Sequence, residues 1–231
     1  RLGVDAIEEL MLGSPFNYPK AALLCIPQDM PEPNSAGYAT TLAKTIVQLA
    51  RAAEGHTLAL FTSHSALRAV AEVSRAALEG DDIRILAQGV DGAPRALMED
   101  FLSNPRSLLL GTSSFWEGVD LPGDSLTLLI LARLPFDVPS DPVFSARSEV
   151  YEQPFRDYAV PQAILRFRQG FGRLIRTGTD RGVVTVLDRR LSARSYGSLF
   201  LRSLPNCTVE QPKLHDLPGI VTSWLSSPSS D

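Results

Sequence analysis

Short apolar runs alternate with longer amphipathic stretches along most of the chain. The apolar runs are bounded by turn formers or charged residues, which is typical of strands that are buried on both faces. We predict strands at 22–26, 57–61, 83–86, 107–110, 126–131 and 183–187. Between the strands, apolar residues recur at the helical period, and we predict helices at 37–53, 65–78, 94–102, 163–176 and 193–201.

This alternation predicts an α/β fold, in which a parallel sheet is covered by helices on both faces. Ligands of such sheets bind at the carboxyl ends of strands, so the residues that directly follow the strands should matter most. The proline-rich segment 134–161 breaks the alternation, and we expect a long connection there with a short helix at 144–151. We divide the chain into a leading segment at 1–20, the domain at 21–211, and a C-terminal helix and tail at 212–231.

Composition and charge narrow the class of protein. An apolar content of 44% and a charged content of 21% are typical of a globular protein, and the net charge is −4. From Arg147 to Arg202 there are eleven arginines and five acidic residues, a net charge of +6, so the remainder carries −10. Such a basic segment fits a localised phosphate-binding face, although solvated helix faces produce the same pattern.

Other classes of protein lack their usual signals in this sequence. No apolar run has the length of a membrane span, and no secretory signal is visible, so we expect an intracellular protein without a membrane partner. Cys25 and Cys207 are far apart and belong to no CxxC pattern. We therefore expect no metal site in this chain, and we interpret both cysteines as buried free thiols.

The segment 169–176, reading QGFGRLIR, is the most informative stretch of the chain. If it is helical, Arg173 and Arg176 leave the same face, because they are three residues apart. Two guanidinium groups that point one way favour an anion, and their planar geometry suits phosphate oxygens. The alternative is a solvated helix face or a pair of surface salt bridges.

Two predicted strands end in small polar residues. The strand at 107–110 is followed by GTSSFWEGVD, in which glycine and hydroxyl groups can approach a phosphate closely, and Glu117 and Asp120 can accept hydrogen bonds from sugar hydroxyls. A plain turn around a buried Trp116 is the alternative. The strand at 57–61 is followed in the same way by Thr62, Ser63 and His64.

Taken together and in this order, these segments resemble the motifs of a known family. LALFTSHSAL is similar to motif IV, LLLGTSSFWEGVDLPG to motif V, and QGFGRLIRTGTDRGVVTVLDRRL to motif VI of superfamily 2 helicases. With ARLPFDVPSDP and YAVPQAILRFRQ, the chain resembles the second motor domain of the DinG/XPD-like branch over residues 57–201. The resemblance implies the RecA-like fold of P-loop NTPase helicases. His64 departs from the pattern, because an aromatic such as tyrosine is common there.

The resemblance also implies roles for individual residues. Three residues would face the γ-phosphate of ATP, with the last as the arginine finger: Gln169, Arg173 and Arg176. Three would lie near the ribose side of the nucleotide: Gly118, Asp120 and Glu117. Three would contact the phosphates of single-stranded DNA: Ser63, Thr112 and Ser114. Phosphate contacts carry no sequence information, so binding should be sequence-tolerant and salt-sensitive.

The sequence lacks the other half of an ATP site. None of its three lysines follows a glycine, so there is no GxxxxGK[ST], and there is no acidic Walker B pair. The resemblance implies that ATP and Mg²⁺ are bound mainly by an N-terminal motor domain of the same parent protein. In this family that domain usually also carries a 4Fe–4S cluster, for which this chain has no ligands. We do not expect this chain to hydrolyse ATP alone.

The implied function is the C-terminal motor half of an ATP-dependent DNA helicase that moves 5′ to 3′ in the bacterial cytoplasm, associated with the nucleoid. One alternative is a non-catalytic nucleic-acid-binding module that has kept the helicase fold. Another is an ordinary nucleotide- or sugar-binding α/β enzyme, which is disfavoured because no GxGxxG opens a helix after a strand.

Overall fold

A sheet of seven parallel strands forms the centre of the computed structural model, which describes residues 16–112, 115, 125–175 and 177–227. The strands are β1 (Ala22–Cys25), β2 (Thr57–Leu60), β3 (Arg84–Ala87), β4 (Ser107–Gly111), β5 (Leu128–Leu131), β6 (Gly182–Val186) and β7 (Thr208–Glu210). Their order across the sheet is β3-β4-β2-β5-β6-β1-β7.

Helices connect the strands and cover both faces of the sheet. They are α1 (Tyr18–Ala21), α2 (Tyr38–Ala52), α3 (His64–Ala77), α4 (Pro94–Ser103), α5 (Pro142–Ser148), α6 (Val160–Phe171), α7 (Arg190–Ala193), α8 (Gly197–Ser203) and α9 (Leu217–Ser226). A π-helical turn, Phe155–Ala159, leads directly into α6. Within the described ranges, no helix is long and apolar enough to span a bilayer.

Two apolar layers hold the sheet between the helices. Successive strand residues point to opposite faces, so Leu23 and Cys25 join one layer while Ala22 and Leu24 join the other. The first layer also contains α2, α3 and α9, and the second contains α4, α6, α7 and α8. Burial on both faces explains why the strands are continuous apolar runs in the sequence.

The predicted α/β fold with a parallel sheet is confirmed, and all six predicted strands are present. The strand β7 was not predicted, because it is a three-residue edge strand in which Val209 and Glu210 are exposed. Two helix predictions are wrong in their extent. The helix predicted at 163–176 ends at Phe171, and the one predicted at 193–201 is divided into α7 and α8.

The proline-rich connection contains the short helix that we predicted at 144–151. This helix, α5, begins and ends earlier in the chain than predicted. Asp141 caps this helix by accepting a hydrogen bond from the Phe144 N–H at 2.8 Å. The π-helical turn follows, in which the Val160 N–H donates to the carbonyl oxygen of Phe155 five residues earlier. Pro161 has no N–H and its ring crowds the preceding turn, which accounts for the wider turn at this point.

A buried carboxylate joins the carboxyl ends of β5 and β6. Asp188 follows β6 and has no exposed surface. Its Oδ2 accepts the Leu134 N–H at 2.8 Å, from the segment after β5, and the Arg190 Nη2 at 2.6 Å. Hydrogen bonding to Asp188 raises the pKa of the Arg190 guanidinium. The hydroxyl of Tyr38 reinforces this junction by donating to the carbonyl oxygen of Ala132.

The two cysteines differ in environment. Cys25 lies in the core of β1, and burial, with a smaller effect of Glu210, raises the pKa of its thiol to about 12. Cys207 is only half-buried, so the prediction of two buried thiols is correct for Cys25 alone. Within the described ranges, no group of His, Cys, Asp and Glu side chains is placed to hold a metal ion.

We expect Asp188→Ala to lower the free energy of unfolding by about 3 kcal/mol, because it leaves the half-buried Arg190 cation and the Leu134 N–H without their acceptor. Asp100→Ala is the matched control, since Asp100 also pairs with an arginine but is 47% exposed. Its cost should stay below about 1 kcal/mol. Urea denaturation of both variants measures the difference, and equal losses would contradict this account of Asp188.

Candidate functional site

Two of the predicted site residues, Ser63 and Thr112, lie together at the carboxyl edge of the sheet. They follow the neighbouring strands β2 and β4. His64, the first residue of α3, joins them, because its Nε2 lies 3.3 Å from Thr112 Oγ1. The sequence analysis placed both residues directly after strands, and the structure has them there.

Thr112 is held in place by a residue that the sequence analysis did not identify. Gln88, directly after β3, accepts hydrogen bonds through Oε1 from the Thr112 N–H at 2.7 Å and from Thr112 Oγ1 at 3.0 Å. Both residues are almost fully buried. No local pattern links positions 24 residues apart, so only the pairing of β3 with β4 reveals this contact.

Ser63 sits at the N-terminus of α3 and caps that helix. Its Oγ accepts the Ala66 N–H at 3.3 Å and lies 2.6 Å from the hydroxyl oxygen of Ser65. The first turn of an α-helix carries N–H groups without helical partners and a partial positive charge. This edge therefore combines hydroxyl groups with a helix N-terminus, an arrangement that favours an anion such as a phosphate.

Arg173 lies in a turn that follows α6, and not on the helix itself. Its N–H donates to the carbonyl oxygen of Gly170 at 3.2 Å. The helix ends at its C-cap, Gly172, and beyond it Leu174 turns into the core, where it covers the glycine that begins β6. A methyl group added at Gly182 would lie 2.6 Å from Leu174 Cγ, so only glycine allows this packing. The prediction that Arg173 and Arg176 share one helix face assumed that the helix continues to residue 176. That assumption is wrong, because α6 ends at Phe171.

Arg173 is an unusually buried arginine, with 6% of its surface exposed. Burial lowers the pKa of its guanidinium, because the charged form loses hydration. An arginine nevertheless remains protonated in proteins. Gln169, in the last turn of α6, is exposed beside it.

The turn at 172–174 contains Arg173 and is called the arginine turn below. It lies at the opposite edge of the sheet from the hydroxyl groups of Ser63 and Thr112. Ala159, directly before α6, lines a cleft together with Ser63 at the carboxyl edge, and in the middle of α6 Arg166 Nη1 contacts Asp137 Oδ1 at 2.6 Å. The helix ends beside Gly182, at the amino end of β6. A helix of this length spans about 18 Å. Ser63 and Thr112 thus lie at the carboxyl ends of strands, whereas Gln169 and Arg173 lie towards the opposite edge.

An aromatic cleft of about 700 Å³ lies beside the carboxyl edge and was not predicted. Thr62 and Ser63 belong to its lining, together with two arginines and four aromatic residues: Arg133, Arg190, Phe136, Phe144, Phe155 and Tyr196. The proline-rich connection supplies most of the rings. A second cleft, of about 1130 Å³, is lined by arginines such as Arg75 and Arg84 that are paired with Asp91 and Asp100. Because these cations are paired, the second cleft is a weaker candidate for an anion site.

The remaining predicted site residues lie outside the described residues. They are Arg176, Gly118, Asp120, Glu117 and Ser114. The alternative of a turn around a buried Trp116 falls in the same undescribed segment.

Comparisons with known proteins agree on one family. A family model described as the helicase C-terminal domain matches residues 46–207. The ATP-dependent DNA helicase YoaA of Haemophilus influenzae is 42% identical over 210 residues, which cover 89% of this chain and 32% of that protein. The 3'-5' exonuclease DinG of Bacillus subtilis is 38% identical over 231 residues, which cover 96% of this chain and 25% of that protein.

A solved structure named XPD_APO matches the fold with a TM-score of 0.59 at 18% identity, and the match covers 84% of this chain and 40% of that one. At this identity the match concerns the fold alone. The chain spans between a quarter and a third of the length of the two curated relatives, 25% and 32%.

We expect Gln88→Leu to lower the free energy of unfolding by about 1–3 kcal/mol, because the buried Thr112 N–H and hydroxyl lose their shared acceptor. Gln48→Leu, at an exposed position of α2, is the matched control and should change stability by less than about 0.5 kcal/mol. Thermal unfolding of the two variants tests this, and an equally stable Gln88→Leu protein would show that the contact does not position Thr112.

Proposed function

The chain belongs to the helicase C-terminal domain family, and we propose that it is the second motor domain of an ATP-dependent DNA helicase of the DinG/XPD-like branch. Its RecA-like fold and its similarity to DinG proteins, both expected from the motifs, are confirmed, and it is also similar to YoaA proteins. The observation that carries the proposal is that two sets of residues suited to bind anions lie at opposite edges of one rigid sheet. Ser63 and Thr112 lie at the carboxyl edge, and Arg173 lies at the other edge.

The carboxyl edge would hold the phosphates of single-stranded DNA. Ser63 offers a hydroxyl group, the nearby Thr112 hydroxyl would turn from Gln88 to a phosphate, and the N-terminus of α3 adds a partial positive charge. Ser114 is the third residue proposed for this role. Hydroxyl and amide groups recognise the sugar–phosphate backbone without reading bases, so the grip would tolerate any sequence.

The arginine turn would face ATP that is bound on a neighbouring motor domain. Gln169, Arg173 and Arg176 are the proposed contacts to the γ-phosphate, with Arg176 as the arginine finger. The position of Arg173 supports this role, because it lies in the turn directly after the end of α6, where Gln169 is exposed. Gly118, Asp120 and Glu117 would lie near the ribose side of the nucleotide.

The two motor domains would share one ATP. This sequence has neither the GxxxxGK[ST] loop nor the Walker B acids, which hold the phosphates and Mg²⁺ in P-loop enzymes. An N-terminal motor domain of the same polypeptide would supply them, and would carry a 4Fe–4S cluster where the protein has one. ATP binding would close the cleft and hydrolysis would reopen it, so that the two domains step 5′ to 3′ along the strand. The setting that we propose is the bacterial cytoplasm, at the nucleoid.

The decisive experiment is ATP hydrolysis stimulated by single-stranded DNA, measured for the full-length protein and for this chain alone. We expect turnover only from the full-length protein. If the full-length protein binds DNA but does not hydrolyse ATP, the motor function is wrong and a non-catalytic nucleic-acid-binding module is the better description.

We expect Arg176→Ala in the full-length protein to reduce turnover by roughly 10³-fold or more while single-strand binding stays largely intact, because a finger acts on the charge that develops during phosphoryl transfer. Arg202→Ala, at an exposed position of α8, is the control and should leave turnover unchanged. Loss of DNA binding with unchanged turnover per bound complex would contradict the finger role.

We expect Thr112→Val to weaken single-strand binding by roughly tenfold, because the hydroxyl that would turn from Gln88 to a charged phosphate is removed while the side-chain volume is kept. Thr179→Val, at an exposed position beyond the arginine turn, serves as the control. Fluorescence anisotropy with a labelled oligonucleotide, at a fixed salt concentration, measures both variants. Unchanged affinity of the Thr112 variant would remove Thr112 from the proposed phosphate contacts.

A further inference from the structure

The aromatic cleft is continuous with the edge that we propose for phosphate binding. Ser63 and Thr62 belong to its lining together with the rings of Phe136, Phe155 and Tyr196. Its volume of about 700 Å³ lies in the range of small-molecule sites, which is roughly 300–1,000 Å³. A ligand held at Ser63 therefore has an aromatic space directly beside it.

The rings of this cleft form a supported surface with one exposed face. Phe155 is 54% exposed, which is unusual for phenylalanine in a folded domain. It stacks on Phe136 with ring centroids 5.6 Å apart and an interplanar angle of 21°, and it meets the edge of Tyr196 at 5.5 Å. Phe136 in turn contacts the fully buried Phe200 at 5.9 Å. The exposed ring is thus fixed by a chain of aromatic contacts that reaches the core.

The backbone that carries Phe155 is also unusual. Phe155 is the first residue of the π-helical turn, and its carbonyl oxygen accepts the Val160 N–H. Such turns are rare and often occur at functional sites. Here the wider turn falls at the residue whose ring faces the cleft.

The charges around the cleft suit an anionic ligand with an aromatic group. Arg133 lies over the Tyr38 ring at 5.1 Å, and Arg190 lies over the Phe136 ring at 5.7 Å. Arg190 is paired with Asp188, and Asp137 is paired with Arg166. These five groups carry three positive and two negative charges, which leaves the wall of the cleft with a net positive charge.

We propose that the cleft receives one unpaired base of the same DNA strand whose phosphates contact Ser63 and Thr112. The base stacks on the exposed face of Phe155 while its own phosphate remains at the carboxyl edge. Stacking on an aromatic ring accepts any base, which agrees with a sequence-tolerant grip. This inference rests on the proposed single-strand binding and adds a defined position for one base.

The test removes single bases without removing phosphates. A labelled oligothymidylate has one nucleotide at a time replaced by an abasic analogue, and its affinity for the full-length protein is measured by fluorescence anisotropy. We expect one position at which the abasic substitution weakens binding roughly fivefold or more. In Phe155→Ala, the intact strand should bind more weakly by a similar factor, and the abasic substitution at that position should have no further effect.

Two further variants separate stacking from packing. Phe155→Trp keeps a stacking ring and should retain the penalty of the abasic position, whereas Phe155→Leu keeps apolar packing and should lose it. The thermal midpoint of each variant checks that the fold is intact. An abasic penalty that is equal in the wild type and in Phe155→Ala overturns the proposal.

The outcomes also distinguish this inference from the function on which it rests. If no abasic position matters while Thr112→Val still weakens binding, the base site is wrong and the phosphate grip stands. If the intact strand does not bind to the full-length protein, the proposed function fails and the base site fails with it.

Discussion

The burial of the parallel sheet on both faces is the constraint that organises this molecule. The strand residues are packed under helices on either side, so polar groups can meet a ligand only where strands begin or end. Ser63 and Thr112 lie at one edge, and Arg173 lies at the other, at the two ends of the span of α6. Because close-packed interiors deform little, the two edges move together as one body. A domain that must couple a nucleotide to a strand benefits from such a rigid connection.

Asp188 is a buried polar residue that constrains the fold in addition to the apolar packing of the sheet. A carboxylate with no exposed surface is tolerated only because Leu134 and Arg190 satisfy its oxygens. The same interaction fixes the path of the backbone after β5 and β6. It also sets the position of Arg190 in the wall of the aromatic cleft. A residue of the core thereby determines the shape of the candidate binding surface.

Whether the sequence could predict a feature depends on how far apart along the chain the interacting residues lie. The strands were predictable because burial on both faces leaves continuous apolar runs, and Ser63 and Thr112 were predictable because they follow those runs. The end of α6 was missed because Leu174 and Ile175 continue the helical pattern, although its C-cap, Gly172, is a residue type that commonly ends helices. Gln88 was missed because its contact with Thr112 depends on strand pairing and not on a local pattern.

The aromatic cleft bears on how a motor domain holds single-stranded DNA. Phosphates and bases both repeat once per nucleotide, so the proposed phosphate contacts and the proposed base site would favour the same positions along the strand. A single ring fixed at the edge, as Phe155 is through Phe136, distinguishes positions in which a base is stacked from those in between. On the proposed function, each step would require one base to leave the ring and the next to replace it. The hydroxyl groups would then hold the backbone, and the ring would hold one base in the same register.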